Sequence, residues 1–134
     1  MAETGQKFKI LIIDDDPDIS HLMKLYLSST GRYKVLLAGG GNIGMWLSSC
    51  KWHKPHLILL DIKMPGMDGF QVLKEIRAMP QTRYTPVIMF TAYDDPAFVV
   101  KAEGLYCDGY VLKSEGFEVI EAKIQEVLKK RGLL

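Results

Sequence analysis

The sequence predicts one α/β domain, a doubly wound parallel sheet of five strands with five helices, and three observations carry that reading. Five short, largely apolar runs occur at 8–13, 33–38, 57–60, 86–91 and 108–112. Longer segments with apolar residues at helical spacing alternate with them, the pattern of a parallel sheet covered by helices on both faces. Polar residues, mostly acidic, collect where the runs end.

The elements follow in order. Phe8 to Ile13 is a buried strand candidate that runs into Asp14-Asp15-Asp16-Pro17. Proline suits the first turn of a helix, where its missing N–H would have had no partner. The helix that follows sets Ile19, Leu22, Met23, Tyr26 and Leu27 on one face, and Gly31 closes it. Residues 33–38 form the second strand and 42–50 a short helix. Pro55 marks the turn into the third strand, 57–60, which ends on Asp61. A Gly- and Pro-rich loop at 62–69 leads to a helix with Phe70, Leu73 and Ile76 inward, closed near Pro80. The fourth strand, 86–91, precedes a short helix beginning at Asp94. The fifth, 108–112, precedes a final helix over 115–131 carrying Phe117, Ile120, Ile124 and Val127. Five such units predict the flavodoxin-like strand order 2-1-3-4-5. The chain, 1–134, reads as a single domain with its core at about 8–131 and no output domain after the last helix.

Composition narrows the function classes. With 134 residues the chain can bury a core without staples. Hydrophobic residues make up 48% and charged ones 25%, which excludes a disordered chain. A net charge of +1 supplies no field to draw the whole protein to nucleic acid or anionic lipid, so neither is expected as a direct partner. The basic end, Lys129-Lys130-Arg131, is assigned to the dipole of the last helix. Cys50 and Cys107 read as reduced, half-buried thiols. The N-terminus is polar and no segment reaches the ~20 apolar residues of a membrane span, so the expected location is the cytoplasm.

Ligands of open α/β sheets bind outside the carboxyl ends of the strands, between the first and third. Asp14 and Asp15 follow the first strand, Asp61 the third, Thr91 ends the fourth and Lys113 follows the fifth. Carboxylates brought this close repel by roughly 4 kcal/mol per pair at 4 Å in an effective dielectric of 20. Lys113 offsets part of that, and a divalent cation the rest. Oxygen ligands without histidine or thiolate favour Mg²⁺, which also shares phosphate oxygens readily. A helix-capping or solvated-turn role accounts for any one of these residues, but poorly for five at matching strand ends.

These residues carry a resemblance. Asp14-Asp15 after an apolar strand, D-I-K-M-P-G-M-D-G from Asp61 to Gly69, F-T-A at 90–92 and Y-V-L-K at 110–113 resemble the response-regulator receiver family, in order and across nearly the whole chain. The resemblance implies that Asp61 is the phosphoacceptor for the phosphohistidine of a histidine kinase or phosphotransfer protein. It implies Mg²⁺ on Asp15, Asp61 and the backbone carbonyl of Lys63, with Asp14 acting mainly through coordinated water. Lys113 would pair with the acceptor carboxylate and then with phosphoryl oxygens. Thr91 would bind a phosphoryl oxygen, and Tyr110 would turn inward as Thr91 moves. The fourth helix, fifth strand and fifth helix would form the switch face for a downstream partner or output domain, open also to a phosphorylation-dependent homodimer. Such a domain is a signalling phosphoacceptor that catalyses only its own phosphorylation and dephosphorylation, not an enzyme acting on other substrates.

Several features depart from the pattern or compete with it. Ser114 follows Lys113 where the family usually has a cis proline; a trans bond there leaves the reach of Lys113 open. Tyr106 stands where a small residue is common, and Asp16 adds a third acid. Lys63 and Tyr93 are expected at the pocket mouth, where Tyr93 could hinder hydrolytic water, or where both could be plain exposed loop residues. Gly39-Gly40-Gly41-Asn42-Ile43-Gly44 fits a dinucleotide-binding G-x-G-x-x-G, but in the second unit of the chain, so a glycine-rich turn is the simpler account. His53 and His56 flank Pro55 and read as a solvated loop rather than a metal pair. Met64, Met67 and Met89 read as packing residues. Two other functions stay open: a receiver fold used only for binding and never phosphorylated, and a phosphohydrolase with an aspartyl-phosphate intermediate. The first gains from Ser114; the second lacks an acid at position 63.

Overall fold

The structure is a computed structural model that describes residues 7–49 and 54–134, without the side chains of Trp46 and Ser49; Cys50 and His53 lie outside the described residues. The strands are β1 (Phe8–Ile13), β2 (Tyr33–Ala38), β3 (Leu57–Leu60), β4 (Val87–Thr91) and β5 (Gly109–Leu112). The helices are α1 (Pro17–Ser29), α2 (Gly41–Ser49), α3 (Gly69–Ala78), α4 (Pro96–Gly104) and α5 (Phe117–Lys130). All strand pairs are parallel, in the order β2-β1-β3-β4-β5, as the sequence predicts.

Alternate strand residues feed two cores. Ile10, Ile12, Leu57, Leu59, Ile88, Phe90 and Val111 meet Met23 and Leu27 of α1 and Ile120, Ile124 and Leu128 of α5. Leu11, Ile13, Ile58, Leu60, Val87 and Met89 meet Phe70, Leu73 and Ile76 of α3 and Ala102 of α4. Such burial is worth about 1.5–3 kcal/mol for each large side chain, and it fixes the strand register.

Register is what assembles the site. Ile13 pairs with Leu60, so Asp14 and Asp61 leave neighbouring strands at one level. Leu60 pairs with Met89 and Thr91 with Leu112, which brings Thr91 and Lys113 to the same edge.

Several boundaries differ from the sequence reading. Leu22 is 53% exposed, because the buried stripe of α1 is narrower than the apolar one and runs through Ser20, Met23 and Leu27. The fourth helix is capped by Asp95, whose side chain accepts from the Ala97 N–H, one residue later than expected. The last helix begins at Phe117: residues Lys113–Glu115 form a 3₁₀ turn, and Gly116, at φ +96°, breaks the two apart. Arg131 does more than face a helix dipole. It donates to the Asp108 carboxylate and the Tyr84 carbonyl.

The glycine-rich decoy has a packing explanation. A β-carbon on Gly44 would come within 2.6–2.9 Å of the Ile13 side chain, and one on Gly41 within 2.9 Å of Met67 and Val72. These glycines let α2 sit tight against the sheet and α3. Met64 and Met89 are buried and Met67 packs beside them, as expected.

Candidate functional site

The loop after β1 begins with Asp14, whose Oδ1 accepts the Asp16 N–H at 2.9 Å. Asp16 turns its own carboxylate to the N–H groups of Asp18 and Ile19 and so caps α1. Such a cap is worth about 1 kcal/mol, and the Asp-Pro pair at cap and first turn was its readable signal. With Asp16 spent on the helix, Asp14 and Asp15 remain for the pocket.

Across the strand boundary, Asp61 Oδ1 accepts the Ile62 N–H at 2.8 Å. The D-G pair of the loop closes this corner. Asp68 caps α3 in a reciprocal capping box with Gln71. Gly69 donates its N–H to the Ile62 carbonyl at 2.7 Å and passes directly over the Asp61 carbonyl.

Asp14, Asp15 and Asp61 can each present an oxygen within 4.8 Å of the others. Asp14 and Asp61 are buried, at 4% and 6% exposure, while Asp15 faces solvent. Lys113 Nζ lies 2.8 Å from Asp14 Oδ2 and 3.1 Å from Asp61 Oδ2. The Lys113–Ser114 peptide is trans, and the ammonium still reaches both carboxylates. Burial raises the Asp14 carboxyl from 3.8 to about 6, against the hydrogen bonds from Lys113 and the Asp16 N–H, with the Asp61 charge adding to the rise. Burial works to lower the Lys113 ammonium, but the Asp14 and Asp61 carboxylates outweigh it and the pKa rises. The two partners are thus both raised: the ammonium keeps its proton firmly, and one ammonium is too little for the carboxylates it serves.

The donor set suits Mg²⁺. It consists of hard carboxylate oxygens, two buried and one open to water, with two formal negative charges left after Lys113 is counted. Asp14, Asp15 and Asp61 are the side chains that would hold the ion.

The remaining predicted residues surround this cluster. Thr91 is fully buried at the end of β4, and its Oγ1 accepts the Tyr93 N–H at a long 3.4 Å. Tyr110 donates its hydroxyl to the Tyr93 carbonyl at 2.5 Å. Burial first, then the charges of Asp61, Asp94 and Asp95, raise the pKa of that hydroxyl and keep it a donor. Lys63 extends its ammonium over the rings of Tyr93, at 5.4 Å, and Phe98, at 5.7 Å. Phe98 was not anticipated, since nothing in a nine-residue helix marks one aromatic as a support for a lysine in the loop after β3. His56 accepts the Lys9 N–H at 2.9 Å and stacks edge-on with Phe8. Cys107 is half-buried, and burial raises its thiol to about 11, so it stays protonated.

The sequence matches the family model of the response regulator receiver domain over residues 10–125. The chain belongs to the response-regulator receiver family. The receiver is 36% identical over 125 residues to a probable transcriptional regulator, ycf27, of Porphyridium aerugineum, covering 93% of this chain and 50% of that protein. It is 33% identical over 123 residues to a probable chemotaxis protein CheY of Rhizobium etli, covering 92% of this chain and 94% of that one. The solved structure of Vibrio cholerae CheY4 superposes with a TM-score of 0.84 at 26% identity, over 92% of this receiver and all of that chain. This receiver therefore spans about half the length of the transcriptional regulators it matches and nearly the full length of the CheY relative. No helix among the described residues is long and apolar enough to cross a membrane.

Proposed function

We propose that this receiver accepts a phosphoryl group on Asp61 from the phosphohistidine of a histidine kinase or phosphotransfer protein, in a reaction that needs Mg²⁺. The observation that carries the reading is the ion pairing of one ammonium, Lys113, with two carboxylates, Asp14 and Asp61, beside the solvent-facing Asp15. Phosphoryl transfer asks a protein for positioning and charge neutralisation rather than covalent chemistry. Here both oxygens of Asp61 are held before any donor arrives, Oδ1 by the Ile62 N–H and Oδ2 by Lys113. A carboxylate oxygen attacks phosphorus, the P–N bond to the donor imidazole breaks, and its electron pair leaves with the imidazole. Mg²⁺, when bound, screens the carboxylates and the phosphoryl oxygens from one another, with the Lys63 carbonyl as a further ligand. Thr91 takes a phosphoryl oxygen and Lys113 remains paired with the new charge.

The output is a change of surface. Phosphorylation replaces the single charge of the Asp61 carboxylate by a phosphoryl group carrying about −1.5 to −2 charges. Thr91 moves toward them, the Tyr110 hydroxyl bond to Tyr93 is the contact that registers the movement, and the α4–β5–α5 face changes for a partner, an output domain or a second receiver. That face carries exposed Val100 and Val119. The non-phosphorylated binding module loses its one support, because Lys113 reaches the acidic cluster through a trans peptide.

Incubation with Mg²⁺ and acetyl phosphate, read by intact mass, tests the proposal. One phosphoryl adduct is expected, absent in Asp61→Asn and with EDTA. An unmodified wild-type protein, or an adduct that persists in Asp61→Asn, overturns it.

A further inference from the structure

At the opposite edge of the sheet, where β4 and β5 begin, a second cluster of charge has no part in this chemistry. Asp108, just before β5, accepts from the Val87 N–H at 2.9 Å and pairs with Arg77 at 3.1 Å and with Arg131. Arg77 also donates to the carbonyls of Thr85, Arg83 and Tyr106, so its guanidinium is committed to the fold. Arg83 is different. It is exposed, and its guanidinium makes no hydrogen bond or ion pair with another described residue. These groups wall an open cavity of about 590 Å³ that also takes in Tyr84, Tyr106 and the exposed Glu103.

The two tyrosines are each 76% exposed. Tyr106 moreover holds φ at +68°, the left-handed region that a bulky side chain adopts at a cost and glycine does not. Arg77, with two donors on the Tyr106 carbonyl, keeps it there. The fold thus maintains a strained backbone and leaves an aromatic ring in water at one wall of a basic cavity. Tyr84 also lines a second depression of about 260 Å³, whose walls include Pro55, Pro80, Pro86 and Leu133. The two hollows meet at one ring.

We propose that this edge is a docking surface for an extended acidic segment of a partner protein, carrying an apolar or aromatic side chain. Tyrosine and arginine are the side chains that dominate protein interfaces. Asp108 and Glu103 offset two of the three arginines on this lining, Arg77, Arg83 and Arg131, which leaves one net positive charge; Arg83, exposed and outside the Asp108 network, presents it and favours an acidic occupant. Two open hollows that share Tyr84 suit an extended chain better than a compact ligand, most of whose surface a site must enclose. Acid residues lie along Arg83 and Arg131, a ring stacks at Tyr106 and Tyr84, and an apolar residue enters the proline-lined hollow.

The probe is a random Glu–Tyr copolymer, with a Lys–Tyr copolymer as control, titrated into the unphosphorylated ¹⁵N-labelled receiver. Amide shifts are expected around Arg83, Tyr84 and Tyr106, saturating with Glu–Tyr and absent with Lys–Tyr. Arg83→Glu should weaken binding at least tenfold, and added salt should weaken it further. Tyr106→Gly should weaken it severalfold while leaving the melting temperature equal or higher, since it removes the strained φ. That combination separates loss of a contact from loss of the fold. Unchanged affinity in both variants, or shifts that map elsewhere, overturns the proposal; so does saturable binding of a nucleoside monophosphate here in place of the copolymer, which would make the cavity a small-anion site.

Discussion

Gly69 passes so close over Asp61 that a β-carbon on it would overlap the Asp61 carbonyl oxygen and lie 2.8 Å from the Ile62 α-carbon. The obstacle is backbone, which cannot rotate aside as a side chain can. Gly69→Ala should therefore cost about 1–3 kcal/mol in urea unfolding, the range for overpacking. It should also slow labelling of Asp61 by acetyl phosphate, because the corner that carries the carboxylate must shift. Wild-type stability in this variant would show that the loop has slack.

The acidic cluster predicts a stability that depends on pH and metal together. The Asp14 carboxyl is raised from 3.8 to about 6, so the folded protein holds a proton there that the unfolded chain has released. Metal-free stability should fall as pH rises from about 4 to about 6, by at most about 3 kcal/mol, and this contribution is then constant at higher pH. Mg²⁺ bound as proposed would take the folded, deprotonated cluster, so its stabilising effect should be small at about pH 5 and full at about pH 7.5. Urea midpoints with Mg²⁺ and with EDTA at both pH values check this, and Asp14→Asn should remove the metal-free slope.

Removing Lys113 is a test of the balance of charge. Lys113→Met leaves Asp14 and Asp61 facing each other without a cation. Breaking such a buried pair costs about 3–5 kcal/mol when the abandoned charge has no other partner. Here Mg²⁺ can take over the neutralising role, so the loss should be large in EDTA and much smaller with Mg²⁺, by thermal unfolding. Equal losses in both would mean that the ion does not sit among these carboxylates.

His56 gives a second pH signal, of opposite sign. Its Nδ1 accepts the Lys9 N–H, which only a neutral ring can do. Burial, then the Lys9 charge, lower its pKa from 6.5. The folded state therefore resists a proton that the unfolded chain takes up, and stability is lost as pH falls through about 6.5. His56→Gln, which offers a carbonyl and does not titrate, should flatten this part of the profile. The difference between the two proteins isolates it from Asp14.

How far the sequence could be read follows from which interactions are periodic. Continuous apolar strands and helical stripes are repeated signals, so the five-stranded order and the convergence of Asp14, Asp61 and Lys113 were legible from them. Single events were not. Leu22 has the spacing of a core residue, and only the packing of α1 leaves it outside. Asp94 and Asp95 are equally good caps before Pro96, and the backbone chooses between them. The Arg77–Asp108–Arg131 network joins a residue of α3 to residues flanking β5 and α5, with no shared pattern. The overlap of Gly69 with Asp61 is a property of the folded loop alone.

Access of water to Asp61 would set how long a phosphoryl group persists there. Tyr93 is half-exposed beside the pocket, and four contacts fix it: its N–H donates to Thr91 Oγ1, its carbonyl accepts the Tyr110 hydroxyl, its ring meets Phe98 at 6.1 Å, and the Lys63 ammonium lies over that ring. A ring held this way would hinder the approach of water to a phosphoryl group on Asp61 more than a loosely tethered side chain. Tyr93→Ser should remove the shield and also the perch of Lys63, shortening the half-life of phosphorylated Asp61 severalfold. Phe98→Ala leaves Tyr93 in place but without its neighbour, and should shorten it less. Decay is followed on Phos-tag gels after the phosphodonor is removed. Equal half-lives in all three proteins would make Tyr93 an ordinary loop residue, whereas a graded loss would identify the aromatic pair as the cover of the site.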